Sequence, residues 1–442
     1  MPASPSVMWK RGWRLVLLGT APAILLGSIF FLGAYLPLPS MVLFALTSAC
    51  LIGALAQPSV RDELAELRAA PPIILLFGLV IGAGLVSLAR WALGLSGTLN
   101  TSATVLELIR LCGLASLFVL GCVMGGSARR ARDFVTVLLA LGGVYAGAAL
   151  LIFLSGGQIA HHPGRLLGGF YSANTAGTLL GVLSLLATAM LLRRWRRSAP
   201  AAGARRVTEM AIVMAPLMGL CGLLIACLLL TASRAAIAAT AGALIVLIAL
   251  EALQARRSRR SLFVLAGGLV AVGVVLAAAG NSLFLDRYLT SDIAAANRLV
   301  MLQAHWSAFL TTPIWGFGLG SYPEVNNLIL TPENFAALSH TVVLHNTYVQ
   351  WLEEAGLVGA VPMFLLIGCI LGVTTFGAAR GRPNRTLLTG LLLASAVVLV
   401  HASLDVSLHI PSFTGLWSLL LGLGFALAQA PGEQQRAEAA DA

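Results

Sequence analysis

His345, Arg165, Arg234 and Arg298 are the residues with the most chemical potential in a chain that is otherwise strongly apolar. A guanidinium carries a permanent charge and five donors in a fixed fork, a shape that suits phosphate and carboxylate groups. An imidazole titrates near neutral pH and is the usual side chain for moving a proton. Together they point to an anionic ligand with a proton transfer beside it. Each type also has a plainer use: an arginine beside a membrane can snorkel to headgroups, and a single histidine on a helix is often a satisfied structural group.

The elements that must position them follow from composition. Hydrophobic residues make up 58% of the 442 positions and charged ones 10%, and the mean hydropathy is +0.91. These values exclude an ordinary soluble domain. Crossing the hydrocarbon core takes roughly 20 apolar residues in a helix. About twelve uncharged stretches of that length are present, near 12–34, 39–57, 72–89, 104–125, 133–154, 172–192, 209–231, 235–254, 261–280, 358–378, 386–404 and 411–430. The expected fold is therefore an all-α polytopic membrane protein. The first stretch is too long, and lacks the small-residue cleavage site, for a signal peptide that is removed; it is expected to remain as the first membrane helix.

All six cysteines lie inside apolar stretches without paired ligand spacing, so neither a disulfide framework nor a structural zinc site is expected. The net charge of +11 raises the question of nucleic acid. The arginines sit in short loops between apolar helices, where they report topology instead, and no nucleic-acid partner is expected.

Lys10, Arg11 and Arg14 precede the first span. Alternate loops then hold Arg129, Arg130 and Arg132; Arg193 to Arg206; Arg256 to Arg260; and Arg380, Arg382 and Arg385. With twelve spans all these clusters share one side, which the positive-inside rule makes cytoplasmic together with both termini. Subtracting them leaves Arg90, Arg165, Arg234, Arg287 and Arg298 on the outer side and Arg110 within a span. A cation near the bilayer centre costs roughly 2.5 to 3.5 kcal/mol on insertion scales, so those that remain need a compensating role. Arg110 follows Glu107 by three positions on one helical face, the spacing of an internal ion pair. Arg234, in the turn Thr231-Ala-Ser-Arg234, has no acidic neighbour in sequence: it is either an interfacial snorkel or an anion ligand.

The only long connection, roughly 77 residues at 281–357, divides the chain into membrane helices at 1–280, an outward loop expected to carry the active site, and the last spans with a cytoplasmic tail at 358–442. Around Arg298 the apolar spacing predicts a surface helix over 286–309. Pro313 to Tyr322 is a glycine-rich turn without the lysine of a nucleotide loop, and reads as a backbone turn. A second helical stretch runs from His340 through His345, Asn346 and Tyr348 to Gly359.

The order of these features resembles a known family. His345-Asn346, nine residues, Gly356-Leu-Val-Gly359, preceded in the same loop by Arg298 with Leu302 four positions on, is similar to the His-Asn-x9-Gly-x-x-Gly and Arg-x3-Leu signatures of bacterial O-antigen ligases. These share a superfamily with O-antigen polymerases and some protein O-oligosaccharyltransferases. The Ser233-Arg234 turn and the Gly164-Arg165…Asn174 stretch also fit. The N-terminal third matches only in hydropathy, and Ala360 stands where the ligase pattern usually has Thr or Val.

The resemblance implies a GT-C-like membrane glycosyltransferase of the bacterial inner membrane, its active site facing the periplasm. It would move O-antigen polysaccharide from undecaprenyl diphosphate to lipid A-core and so complete lipopolysaccharide. Arg234, Arg298 and Arg165 would hold the diphosphate, whose charge grows as the glycosidic bond breaks. His345 would accept the acceptor's proton, with His340, Asn346 and Tyr348 in support. Direct attack would invert the anomeric centre, and no matched motif supplies the carboxylate nucleophile of a retaining route. The outward acidic residues, Asp405 among them, form no Asp-x-Asp pair, so the reaction is expected to need no metal or other cofactor. A polymerase or protein-glycosylating activity differs only in acceptor. A secondary transporter would show repeat symmetry between its halves, and the single late loop has no counterpart in the first half.

Overall fold

The computed structural model describes residues 18–158, 164–198, 204–254, 291–339, 341–380 and 384–430. Every regular element among them is helical: α1 Leu18–Ala34, whose last turn is 3-10, α2 Pro37–Leu55, α3 Pro58–Ala65, α4 Ala70–Ala92, α5 Thr101–Gly125, α6 Ala128–Leu154, α7 Ala173–Ser198, α8 Ala204–Leu230, α9 Arg234–Gln254, α10 Ser291–Thr311, α11 Tyr322–Leu328, α12 Phe335–Leu338, α13 Thr347–Ala379, α14 Arg385–Ala402 and α15 Pro411–Gln429, with a 3-10 turn at Ser407–His409. The protein is all-α and polytopic. Nine of the described helices are long and apolar enough to cross a membrane, and Leu18–Ala34 and Met214–Leu230 are shorter apolar helices. These fall on eleven of the expected spans; the twelfth, 261–280, lies outside the described residues.

Local sequence explains where the helices start. α2, α3, α4 and α15 open with proline in the first turn, where the missing N–H would have had no partner anyway. Asn100, Ser127 and Asn346 cap α5, α6 and α13 through their side chains.

α7 and α15 are almost wholly buried and apolar all round, and form the centre of the bundle. α2, α4, α6 and α9 instead leave Leu38, Ile74, Leu151 and Ile245 exposed, the pattern of helices facing lipid. The closest pairing is α5 with α15. Gly121 and Gly125 on α5 lie against the Leu419 and Leu423 carbonyls, while Gly422 on α15 lies against that of Phe118. Glycine at four-residue spacing lets two backbones approach where lipid offers no hydrophobic drive for association.

The two ends of the bundle are tied differently. At the arginine-rich end, the Glu251 carboxylate on α9 takes Arg196 Nη1 of α7 at 3.0 Å and Thr386 Oγ1 of α14 at 2.8 Å, and Glu63 pairs with Arg130. At the opposite end, the Leu166 N–H donates to the Leu230 carbonyl at 2.9 Å, and Leu99 N–H donates to Phe317 O at 2.9 Å.

Within the long connection, α10 spans Ser291–Thr311 and carries Arg298. It turns Met301, His305, Ala308 and Phe309 inward and leaves Leu299, Trp306 and Leu310 exposed. One boundary differs from the sequence expectation. The second helical stretch of the loop and the span expected to begin at 358 are one helix, α13, bent at Gly356. Gly356 has φ 59° and ψ −176°, a conformation essentially closed to other residues. The break is filled by the glycine-rich turn: Phe317 and Gly318 N–H donate to Glu353 and Glu354 carbonyls at 2.9 and 2.8 Å, and Leu357 and Val358 N–H donate to Pro313 and Ile314 carbonyls at 2.9 and 3.1 Å. The turn is thus a backbone plug, and the orphan groups at the kink are satisfied by it.

Candidate active site

His345 is the last residue before the Asn346 cap of α13, so the helix start fixes it. The Asn346 side-chain oxygen accepts from Tyr348 and Val349 N–H, each at 3.1 Å. His345 Nδ1 is buried without a hydrogen-bond partner and faces Asp405 Oδ1 at 4.0 Å. The side chain is 33% exposed, and with Nδ1 turned inward that exposure falls on the other ring edge.

Asp405, between α14 and the 3-10 turn, is buried but well bonded. Its carboxylate accepts from Asn174 Nδ2 of α7 at 3.1 Å and from Ser407 Oγ at 2.7 Å. His401 Nδ1 stands 3.8 Å from the second oxygen and lies 2.7 Å from Thr178 Oγ1. A buried carboxylate with hydrogen-bonded oxygens keeps a fixed position from which to orient a neighbouring imidazole.

The arginines reach this centre by different routes. Burial is the largest influence on His345 and lowers its pKa below the ordinary value; the Asp405 charge raises it and the Arg298 charge lowers it. Arg298, exposed on α10, is therefore close enough for its field to act on the imidazole. Arg165 Nη2 donates to Asn174 Oδ1 at 3.0 Å, and Asn174 donates onward to Asp405. Arg165 Nε donates to the Thr231 carbonyl at 2.8 Å, in the turn that ends at Arg234. Ala232 in that turn has φ 49°, and Arg234 opens α9 as an exposed residue. The structure so brings His345 and, through Asn174, Arg165 to Asp405, ties Arg165 to the Arg234 turn, and puts the Arg298 charge within influence of His345.

The supporting residues separate. Asn346 is a helix cap. Tyr348 turns away, its hydroxyl donating to the Leu399 carbonyl at 2.6 Å and bracing α13 on α14. His340 lies outside the described residues. The Arg110–Glu107 pair forms as the spacing predicts, at 3.2 Å, and Arg110 also donates to the Leu408 carbonyl at 2.8 Å.

Sequence reasoning missed Asp405 as a site member, along with His401, Thr178 and Ser407. A signal was present: Asp405, Ser407 and His409 lie between two apolar spans, with His401 in the last turn of the first. A further network holds α10 against α13. His305 Nδ1 lies 2.8 Å from Glu353 Oε1 and its Nε2 3.3 Å from Asn326 Oδ1, while the ring stacks on Tyr322 at 4.6 Å. Arg298 sits two helical turns before His305, so this buried network fixes against α13 the helix that carries Arg298.

Bundle and site define a polytopic membrane protein with an imidazole–carboxylate pair and arginines at one end of its helices. Residues 219–364 match the family model described as O-antigen ligase, a stretch that holds Arg234, Arg298 and His345. This match supports an O-antigen ligase superfamily member, a superfamily of glycosyltransferase-like enzymes with polysaccharide and lipid-linked substrates. No curated protein matches the chain at a significant level.

Proposed function

We propose that this protein is an O-antigen ligase of the bacterial inner membrane, transferring polysaccharide from undecaprenyl diphosphate to lipid A-core at the periplasmic face. The observation that carries this reading is the placement of His345 beside buried Asp405 with the Arg298 charge acting on the same imidazole. A proton on Nδ1, facing Asp405, leaves Nε2 to accept the acceptor's proton. The acceptor oxygen then bonds to the anomeric carbon, the bond from that carbon to the diphosphate oxygen breaks, and the configuration inverts. Asp405 is enclosed and accepts from Asn174 and Ser407, which suits it to positioning His345 and not to nucleophilic attack.

Arg298, Arg234 and Arg165 would stabilise the departing diphosphate in place of a divalent cation, and the reaction is proposed to be metal-independent. An apolar cavity of about 390 Å³ between α4, α5, α13 and α15 begins at Tyr348 and Trp351 and continues to Leu64 and Leu67. It offers room for part of the isoprenoid chain. The positive-inside reading of the loop charges supports a periplasmic position for this end of the bundle and cytoplasmic termini.

Reconstitution with purified lipid-linked donor and lipid A-core tests the reading. Glycan appearing on lipid A-core supports it. Elongation of the lipid-linked glycan would make the protein a polymerase, and glycan on Ser or Thr would make it a protein glycosyltransferase. Loss of transfer on adding a chelator would remove the metal-free mechanism.

A further inference from the structure

A second, more polar cavity of about 290 Å³ adjoins the His345 centre; its walls include Tyr35, Glu107, Arg110, Trp351, Glu354 and His409. Two chain segments link it to that centre. Val342 and Val343 line it and lead directly to His345, and Leu408 and His409 line it a few residues after Asp405. The cavity is near the lower end of the roughly 300–1,000 Å³ range of small-molecule sites.

Its lining has the chemistry of a sugar site, in which carboxylates accept from hydroxyls and an aromatic ring meets the apolar face of the pyranose. The Glu107 carboxylate is 33% exposed and, among the described residues, pairs with Arg110. Glu354 is already bonded, accepting from Gln350 Nε2 and Gly320 N–H, each at 2.8 Å, and so forms a fixed wall. His409 Nε2 is buried without a partner among the described residues, an unsatisfied group that a bound hydroxyl would complete. Burial above all, with the Arg110 and His345 charges, lowers the His409 pKa to about 3; the ring is neutral at pH 7 and able to pair with an uncharged ligand.

Building on the ligase reading, we propose that this cavity binds an uncharged sugar ring of the acceptor glycan, with Glu107, His409 and Trp351 as its contacts, and delivers the attacking hydroxyl to His345. The donor's first sugar has the same ring chemistry but carries the diphosphate directly. In this cavity the one arginine, Arg110, is already paired with Glu107 and bonded to the Leu408 carbonyl, whereas Arg165 is tied to Asp405 through Asn174 and Arg298 acts on His345 from α10.

The test uses the detergent-purified full chain with a soluble, deacylated core oligosaccharide, measured by calorimetric titration, alongside steady-state transfer. Glu107→Gln is expected to weaken oligosaccharide binding about tenfold, the loss of one charge-assisted hydrogen bond. The acceptor KM should rise by a similar factor, with the donor KM unchanged. Ser40→Trp, which fills the cavity from α2, should weaken binding at least as much. Unaltered melting temperatures show that both variants fold. Wild-type oligosaccharide affinity and acceptor KM in both variants would overturn the proposal, and so would a rise in donor KM alone. If the native protein binds the oligosaccharide with this sensitivity but transfers nothing, the ligase reading fails and the sugar site stands. Transfer at normal rates by both variants removes the sugar site and leaves the ligase reading intact.

Discussion

The Asp405 carboxylate lies 4.0 Å from His345 Nδ1 and 3.8 Å from His401 Nδ1, so one buried charge faces two imidazoles. The Arg298 charge acts on the same two rings from α10. This opposition makes a signed prediction for pH dependence. His345 must be unprotonated to act as a base, and burial already holds its pKa below the ordinary 6.5. Transfer should therefore be present at neutral pH and fall as pH drops through that lowered pKa. Asp405→Asn removes a raising charge and should move the acid limb of kcat/KM to lower pH. Arg298→Gln removes a lowering charge and should move it to higher pH. Shifts in the same direction, or none, would mean that His345 is not the titrating base.

Substitution of the principal groups separates chemistry from fold. His345→Ala should cost about 10² to 10⁴-fold in transfer, the range for a lost general base. Arg298→Ala and Arg234→Ala should each cost about 10²-fold or more, the scale for removing one stabiliser of transition-state charge. Arg234 and Arg298 are exposed, so melting temperatures should hold. Near-normal transfer by any one of the three would remove that residue from the mechanism.

The contact between Gly316 and Gly356 predicts a different outcome. A Cβ on Gly316 would lie 2.5 Å from Gly356 N, and one on Gly356 would overlap the Ile314 carbonyl. Both residues have positive φ. Gly356→Ala should cost about 1 to 3 kcal/mol from backbone strain alone, with more from the overlap. Gly316→Ala opens the same plug, so the double variant should lose less than the sum of the singles. Thermal unfolding in detergent measures all three, and strict additivity would show that the two glycines act independently.

Hydropathy located the membrane helices because a span is a local property, about 20 apolar residues read in one window. It could not show which helices touch. Lipid-facing Ile74 and buried Leu183 look alike in sequence, and Gly-x3-Gly spacing does not decide either: Gly121/Gly125 and Gly177/Gly181 meet neighbouring helices, whereas Gly368/Gly372 have open space beside them. The same limit applies at the site. His345 and Arg298 lie in one loop, so their association was legible from their order. Arg165 joins them through Asn174, which donates to Asp405 231 positions away, a pairing that no local pattern encodes. The break at Gly356 was hidden for a related reason: a glycine inside a helical pattern signals a kink only when its φ is known.

Asn346 gives the last prediction, because its two readings diverge. As the α13 cap it accepts from Tyr348 and Val349 N–H, and removing such a cap costs about 1 kcal/mol. Asn346→Ala should then lower the melting temperature and, by loosening the residue just before the cap, reduce kcat more than it changes either KM. Asn346→Asp and Asn346→Ser keep a capping oxygen and should recover most of both losses. A direct contact of the amide with substrate predicts otherwise: Asn346→Ala would remain as stable as the native protein, and Asn346→Ser would be as inactive as Asn346→Ala. Melting curves and KM values for the three variants decide between a residue that aims His345 and one that touches the glycan.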